Sequence, residues 1–458
     1  MEDANDWCDE WWSRDDDLAA EDSLRDASLA AAAISRRRSA CLGYLLPDLV
    51  PDGRGPQGKK ARREQIPFTW DAHLLLLTEE EFKRRYRLDF DSFNELLEKI
   101  RPALELSPKE ELQSKRGNFG IVVSAEVKLA ICLRYLAGGD VLDLKLIYHV
   151  GRTYVYDCVY LCIDAINKAL VINFPIDDPE KLQQMEAEFR AASRGGIWAG
   201  QVGAIDGVHF AMRGVGTKDV PDPMKYHVAR KDEYALLCIA ICDAHRRFTY
   251  YDISKAPTTH DSLAWAGTEL GARVAQGHLQ EPFFLNGDAA FSQSNSMITP
   301  SGDPALDSFD FHQSSNRMSI ECAFGMLVRK WGVFWRPLSV AFPRRAALVA
   351  ACLRLHNFCI DRRIEDPQLP TYGNMTEVQP QRLRKTPVFD REGRPVAFLD
   401  TRLTQDEMGN RPHHRHQASC TRRDLLVQAV VDSGLARPPP RRKDAVVKTK
   451  KKRGGKKK

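Results

Sequence analysis

No run of 18 uninterrupted apolar residues occurs in this 458-residue chain, so no membrane-spanning segment is expected. It also lacks any Cys-x-x-Cys pair: the eleven cysteines are scattered. Cys158/Cys162 and Cys238/Cys242 stand four apart inside apolar segments. That pattern predicts buried thiols in a reducing compartment. His413, His414, His416 and Cys420 are metal-like in type, but their polar, arginine-rich surroundings argue against a zinc site. The opening "MEDANDWCDEWW" is acidic, unlike a secretory signal.

Charge is abundant but unevenly spread. The net charge is only +5, yet residues 1–26 hold eleven acidic and two basic side chains. Residues 441–458, "RRKDAVVKTKKKRGGKKK", hold eleven basic and one acidic. A tail of this kind is a nuclear-localisation or nucleic-acid signal, with Lys450, Lys451, Lys452 and Arg453 at its centre. It binds phosphates by counterion release and reads no sequence.

The pattern divides the chain into four. Residues 1–65 are charged and turn-rich, and are expected to be disordered. Residues 66–195 read as helical. Thr78 starts one helix, Asp91 a second, and Ser124 a third that stops at Gly138-Gly139. A short helix, a turn at Gly151 and a long helix from about Thr153 then form a helix-turn-helix pattern. Its second helix, "TYVYDCVYLCIDAINKAL", is apolar and nearly free of basic residues, which favours packing over reading DNA bases. Residues 196–362 switch to strands: "IWAGQVGAID", "YALLCIAICDA", "RRFTYYDISK" and "PFFLNGD". The second is apolar throughout and so is expected to be buried on both faces. "HDSLAWAGTELGARVAQG", "SSNRMSIECAFGMLVRKWGVF" and "FPRRAALVAACLRLHNFCID" read as helices, giving an α+β core with helices on a mixed sheet. Residues 363–458 read as a linker, one isolated helix at "RRDLLVQAVVDSGLA" and the basic tail.

Carboxylates recur where the strands end. Asp206 closes "VGAID" and Asp288 closes "FFLNGD". Glu321 borders the apolar stripe Ile320, Ala323, Phe324, Leu327 and Trp331, and Arg317 lies one turn earlier on the same side. Ligand sites in open sheets lie off the strand ends. Taken singly, an Asp before Gly suits a turn and a Glu on an amphipathic helix suits solvent. Gathered, like charges repel and raise one another's pKa. Mg²⁺ reverses that balance, because it takes carboxylate oxygens together with substrate phosphate. Two ions roughly 3.5–4 Å apart can serve both the attacking and the leaving oxygen of a phosphoryl displacement.

The ordered motifs "VGAIDGVHF", "YHVARKDEYALLCIAICDAHRRFT", "THDS", "FFLNGDAAF", "FDFHQSSNRMSIECAFGMLVRKW" and "LRLHNFCI" resemble the PIF/Harbinger superfamily of DDE transposases, which includes the Harbinger-transposase-derived nucleases of animals. The resemblance spans about 200–362, and more weakly the helical region before it. It implies an RNase H-like fold in which Asp206, Asp288 and Glu321 are the catalytic, metal-holding triad, with two Mg²⁺ or Mn²⁺ ions as cofactor. Asp206 would bridge both ions, with Asp288 and Glu321 holding one each. His209, His260, Asp261 and Arg317 match family positions beside the site, which implies accessory roles in phosphate contact or ligand support. Double-stranded DNA at element ends and targets is the implied partner, with a separate Myb-like DNA-binding protein and a homodimer as further expectations. The chain departs from the family at "GDAAF", where Gly-Asp-Ser-Gly-Tyr is usual, at Cys322, where Arg is usual, and at Val328, often basic. These changes spare the carboxylates but remove polar and positive groups beside them. Two alternatives stay open: a domesticated nuclear DNA- or chromatin-binding protein with weak or no catalysis, and another metal-dependent nuclease acting on RNA or hybrids.

Overall fold

The computed structural model describes residues 68–105, 123–229, 231–364, 388–389, 395–396 and 421–437. The expectations for residues 1–65, for His413, His414, His416 and Cys420, and for Lys450, Lys451, Lys452 and Arg453 concern residues outside these.

The chain begins with helices α1 (Trp70–Leu74), α2 (Glu79–Tyr86), α3 (Phe90–Leu104), α4 (Ala125–Leu136), α5 (Val141–Ile147), α6 (Arg152–Ala169) and α7 (Pro179–Ala192). Thr78 starts α2 with a full capping box: its hydroxyl accepts from the Glu81 backbone while Glu81 reaches back to the Thr78 N–H. α3 starts at Asp89, two residues before the predicted Asp91. Asp89 Oδ1 takes the Ser92 N–H at 2.7 Å, and Asp91 falls in the first turn, where its charge suits the helix dipole. α6 follows the Gly151 turn and buries Val155, Cys158, Val159, Cys162, Ile163, Ala165 and Ile166. The second helix of the predicted pair is therefore a core helix.

A mixed sheet follows, made of β1 (Gln201–Met212), β2 (His227–Val228), β3 (Glu233–Cys242), β4 (Phe248–Asp252), β5 (Phe284–Asn286) and β6 (Met297–Ile298). β1 is antiparallel to β3 and parallel to β5, β5 is parallel to β6, and β4 and β2 pair antiparallel with β3. Across the sheet the order is β4-β3-β1-β5-β6, with β2 on the same edge of β3 as β4.

Helices cover both faces of this sheet: α8 (Asp261–Ala266), α9 (Glu269–Ala275), α10 (Asp307–Lys330) and α11 (Phe342–Ile364). Ala204, Phe210, Leu236, Cys238, Ala240 and Cys242 share a core with Ile320, Ala323, Phe324 and Leu327 of α10. On the other face, Ile205, Leu237, Ile239 and Ile241 pack with Ala264, Trp265, Leu270 and Val274. β3 is thus apolar on both sides, as its unbroken run requires. Cys158, Cys162, Cys238 and Cys242 are buried free thiols, and burial holds all four well above the ordinary thiol value.

Three expectations are corrected. β1 does not end at Asp206. It stays paired with β3 as far as Met212, because Val208, Phe210 and Met212 continue the apolar alternation. The segment predicted as one helix from His260 breaks at Gly267 and restarts at Thr268, whose hydroxyl accepts from the Gly271 N–H at 2.9 Å. The C-terminal helix α12 (Thr421–Asp432) is not isolated: Leu426 and Val430 pack with Trp198, Phe284, Ile298 and Phe309.

The helices before the sheet share its main core. α11 makes the junction: Arg344 pairs with Asp164 at 2.8 Å, and Asn167 donates to the Ala347 carbonyl at 2.9 Å. Among the described residues, no helix is long and apolar enough to cross a membrane.

Since α12 seals apolar groups of β5, β6 and α10, Leu426→Ala should lower unfolding free energy by about 2–3 kcal/mol. Denaturant titration of the full chain measures this. A change below about 0.5 kcal/mol would mean that α12 does not pack there.

Candidate active site at the open end of the sheet

β5 pairs with β1 only as far as Ala204, and Leu338 bridges that edge again at Met212, so the β5-side edge of β1 is open between the two. Asp206 lies two residues beyond Ala204, opposite Ala240 of β3. β5 ends at Asn286, Gly287 still donates to the Ile298 carbonyl at 2.9 Å, and Asp288 follows just before a turn at 289–290. Gly287 is confined: a Cβ there would come within 3.0 Å of Phe291 and 3.1 Å of Met297 Sδ. Asp288 Oδ1 accepts from the Ala290 N–H at 2.8 Å, which fixes the loop. Glu321 approaches from α10.

Arg317 joins two of these acids. Its Nη2 lies 2.6 Å from Glu321 Oε1 and its Nη1 3.4 Å from Asp206 Oδ2. The guanidinium is 15% exposed, the Asp206 side chain 20% and Glu321 41%, so the pairing deepens toward the strand. Burial pushes the Asp206 carboxyl up to about 7, and Asp288 and Glu321 add to this against the pull of Arg317 and the Gly207 N–H. Burial works against the Arg317 charge, but Glu321, Asp206 and Asp288 more than offset it and raise its pKa.

A second set of polar side chains holds this arrangement together, and the sequence reading did not single it out. Asn286 donates to Gln201 Oε1 at 3.3 Å and to the Gln313 carbonyl at 3.1 Å. Gln313 Nε2 donates to Asn286 Oδ1 at 2.7 Å and to the Gly287 carbonyl at 2.6 Å. All three side chains are fully buried. They tie the start of β1, the end of β5 and α10 together beneath the acids. The signal was present in the sequence: Gln313, Arg317 and Glu321 are spaced by four, so they share one face of a helix.

The other predicted residues lie elsewhere. Strand alternation places Gly207 and His209 on the face opposite Asp206. His209 Nε2 donates to the Pro257 carbonyl at 3.1 Å. The Asp261 carboxylate lies against Gly207, where an added Cβ would come within 2.9 Å of Oδ1. His260 starts α8, accepting from the Ser262 N–H. The structure therefore brings Arg317 to the acids and puts His209 and Asp261 behind the strand, with His260 capping the helix that Asp261 begins. Among the described residues, no group of three or more His, Cys, Asp or Glu side chains forms a ready cation cage. Arg317 stands between two of the acids instead.

Residues 205–357 match the family model described as DDE superfamily endonuclease. The matched segment runs from β1 into α11 and contains Asp206, Asp288, Arg317 and Glu321. It supports a DDE transposase-like family, and with it nuclease or transposase activity in general. No curated protein and no solved structure matches the chain.

The raised Asp206 carboxyl has a measurable consequence. Between its ordinary value of 3.8 and about 7, the folded protein holds a proton that the unfolded chain releases. Stability therefore falls as pH rises through that window. Asp206→Asn removes this term, so without added metal its melting temperature should climb relative to wild type from pH 4 to 7. A constant difference across the window would contradict the assignment.

Proposed function

We propose that this chain is a divalent-metal-dependent DNA endonuclease and strand-transfer enzyme of transposon origin, with Asp206, Asp288 and Glu321 as its catalytic triad. The observation that carries the reading is that Arg317 joins Asp206 of β1 to Glu321 of α10, while Asp288 at the β5 end acts electrostatically on both Asp206 and Arg317. In support, the sheet order β4-β3-β1-β5-β6, with β3 alone reversed, is that of an RNase H-like fold. The "GAIDGVHF", "NGDAAF" and "NRMSIECAFG" segments support the PIF/Harbinger branch.

The donor set suits Mg²⁺ or Mn²⁺: it is all oxygen, Asp288 and Glu321 raise the proton affinity of Asp206, and a cationic side chain already stands beside two of its members. Asp206, Asp288 and Glu321 would hold two such ions, which supply an activated attacking oxygen and stabilise the leaving one. The chain's own residues do the rest. The buried amide network fixes the spacing of the strand ends and α10. Partial burial of Asp206 and Arg317 strengthens the interaction between them. Arg317 provides positive charge where a DNA phosphate would arrive. The basic tail adds affinity for duplex DNA without sequence preference and directs the protein to the nucleus. α6 spends its apolar face on the core, which supports a separate Myb-like partner for end recognition, with a homodimer pairing two element ends.

The test is cleavage of element-end duplex DNA in Mg²⁺ or Mn²⁺. Asp206→Ala should lower the rate by at least about 10³-fold while circular dichroism stays unchanged. Cleavage that survives in Asp206→Ala rejects this active site.

A further inference from the structure

We propose that Arg317 is the built-in counter-cation of the metal-free site, so that the guanidinium and a divalent ion compete for Asp206 and Glu321. The inference rests on the metal-dependent reading above and concerns how that site is kept and loaded.

Three observations carry it. Arg317 touches two of the three carboxylates that would take a metal, through different nitrogens of one planar group. Its Nε is buried with no hydrogen-bond partner among the described residues. The contacts of the guanidinium are therefore ionic, to the two carboxylates. Finally, Gln313 fixes α10 one turn earlier by bonds to Asn286 and Gly287, so Arg317 is delivered to the gap by a rigid helix.

The charges explain why such a group is needed. Three carboxylates with no cation repel, and a buried guanidinium with no anion is equally unfavourable. With the three acids ionised, one guanidinium leaves the site net negative, so it still attracts divalent cations. The same guanidinium repels that ion and holds two of its ligands. It therefore preserves the fold of the empty site and weakens metal binding.

Removing the charge should move two readouts in opposite directions. Isothermal titration calorimetry of the full chain with MnCl₂ alone should show Arg317→Gln binding Mn²⁺ about tenfold or more tightly than wild type. In EDTA, the same variant should melt at a lower temperature than wild type. Arg317→Lys keeps the charge but loses the two-pronged contact, so its Mn²⁺ affinity should exceed wild type and fall below Arg317→Gln. This variant also serves if Arg317→Gln does not fold in EDTA. If wild type binds Mn²⁺ and either variant binds it equally or more weakly, the counter-cation role is wrong and the metal-dependent reading stands. If no form of the protein binds Mn²⁺, both are wrong.

Discussion

Burial of the Asp206 carboxyl beside Arg317, with Asp288 and Glu321 acting on it, is the constraint around which the strand-rich half of the protein is organised. Asp206 sits within a paired strand with little solvent to screen it, and it answers by holding its proton to about 7. Arg317 reaches it from α10 and shares itself with Glu321. Such an arrangement persists only if three separate elements are held in register. Gln201, Asn286 and Gln313 do this with buried amide hydrogen bonds that cross β1, β5 and α10. Removing one member of a buried set costs about 1–3 kcal/mol per group left unpaired. The amides therefore keep the acids crowded against their own repulsion.

The rest of the fold supplies the stiffness. β3 is apolar on both faces and anchors β1 along nearly its whole length. α11 fastens the preceding helices to the sheet, so the helical region and the sheet form one packed body. α12 covers Trp198, Phe284, Ile298 and Phe309, apolar groups beside the ends of β5 and α10. It lies outside the segment that matches the DDE superfamily endonuclease model, yet it packs against the two elements that carry Asp288 and Glu321.

Much of this could be read from the chain. Periodicity gave the two-sided burial of β3 and the helical character of the first region, and capping residues gave the starts of α2 and α4. The acids stood out because each broke an apolar context. Local rules misplaced what pairing decides. Asp206 looked like a strand terminus because Gly207 follows it, but β3 continues opposite and carries the strand on to Met212. Asp89 and Asp91 are equivalent by type; Asp89 is the one in extended backbone with its carboxylate on the Ser92 N–H. α12 looked isolated because its partners are distant in sequence. The amide network was missed because single Gln and Asn residues carry no local signal: their meaning appears only when β1, β5 and α10 meet. His209 follows Asp206 closely in the chain, yet alternation sends it behind the strand, and Asp261 at the start of α8 lies against Gly207.

The most direct measurement is a crystal structure of the protein with Mn²⁺ and duplex DNA, using anomalous scattering to locate the metal. The account predicts manganese at about 2.0–2.2 Å from carboxylate oxygens of Asp206, Asp288 and Glu321, on the α10 face of β1. Manganese held on the opposite face, by His209, His260 or Asp261, would contradict it.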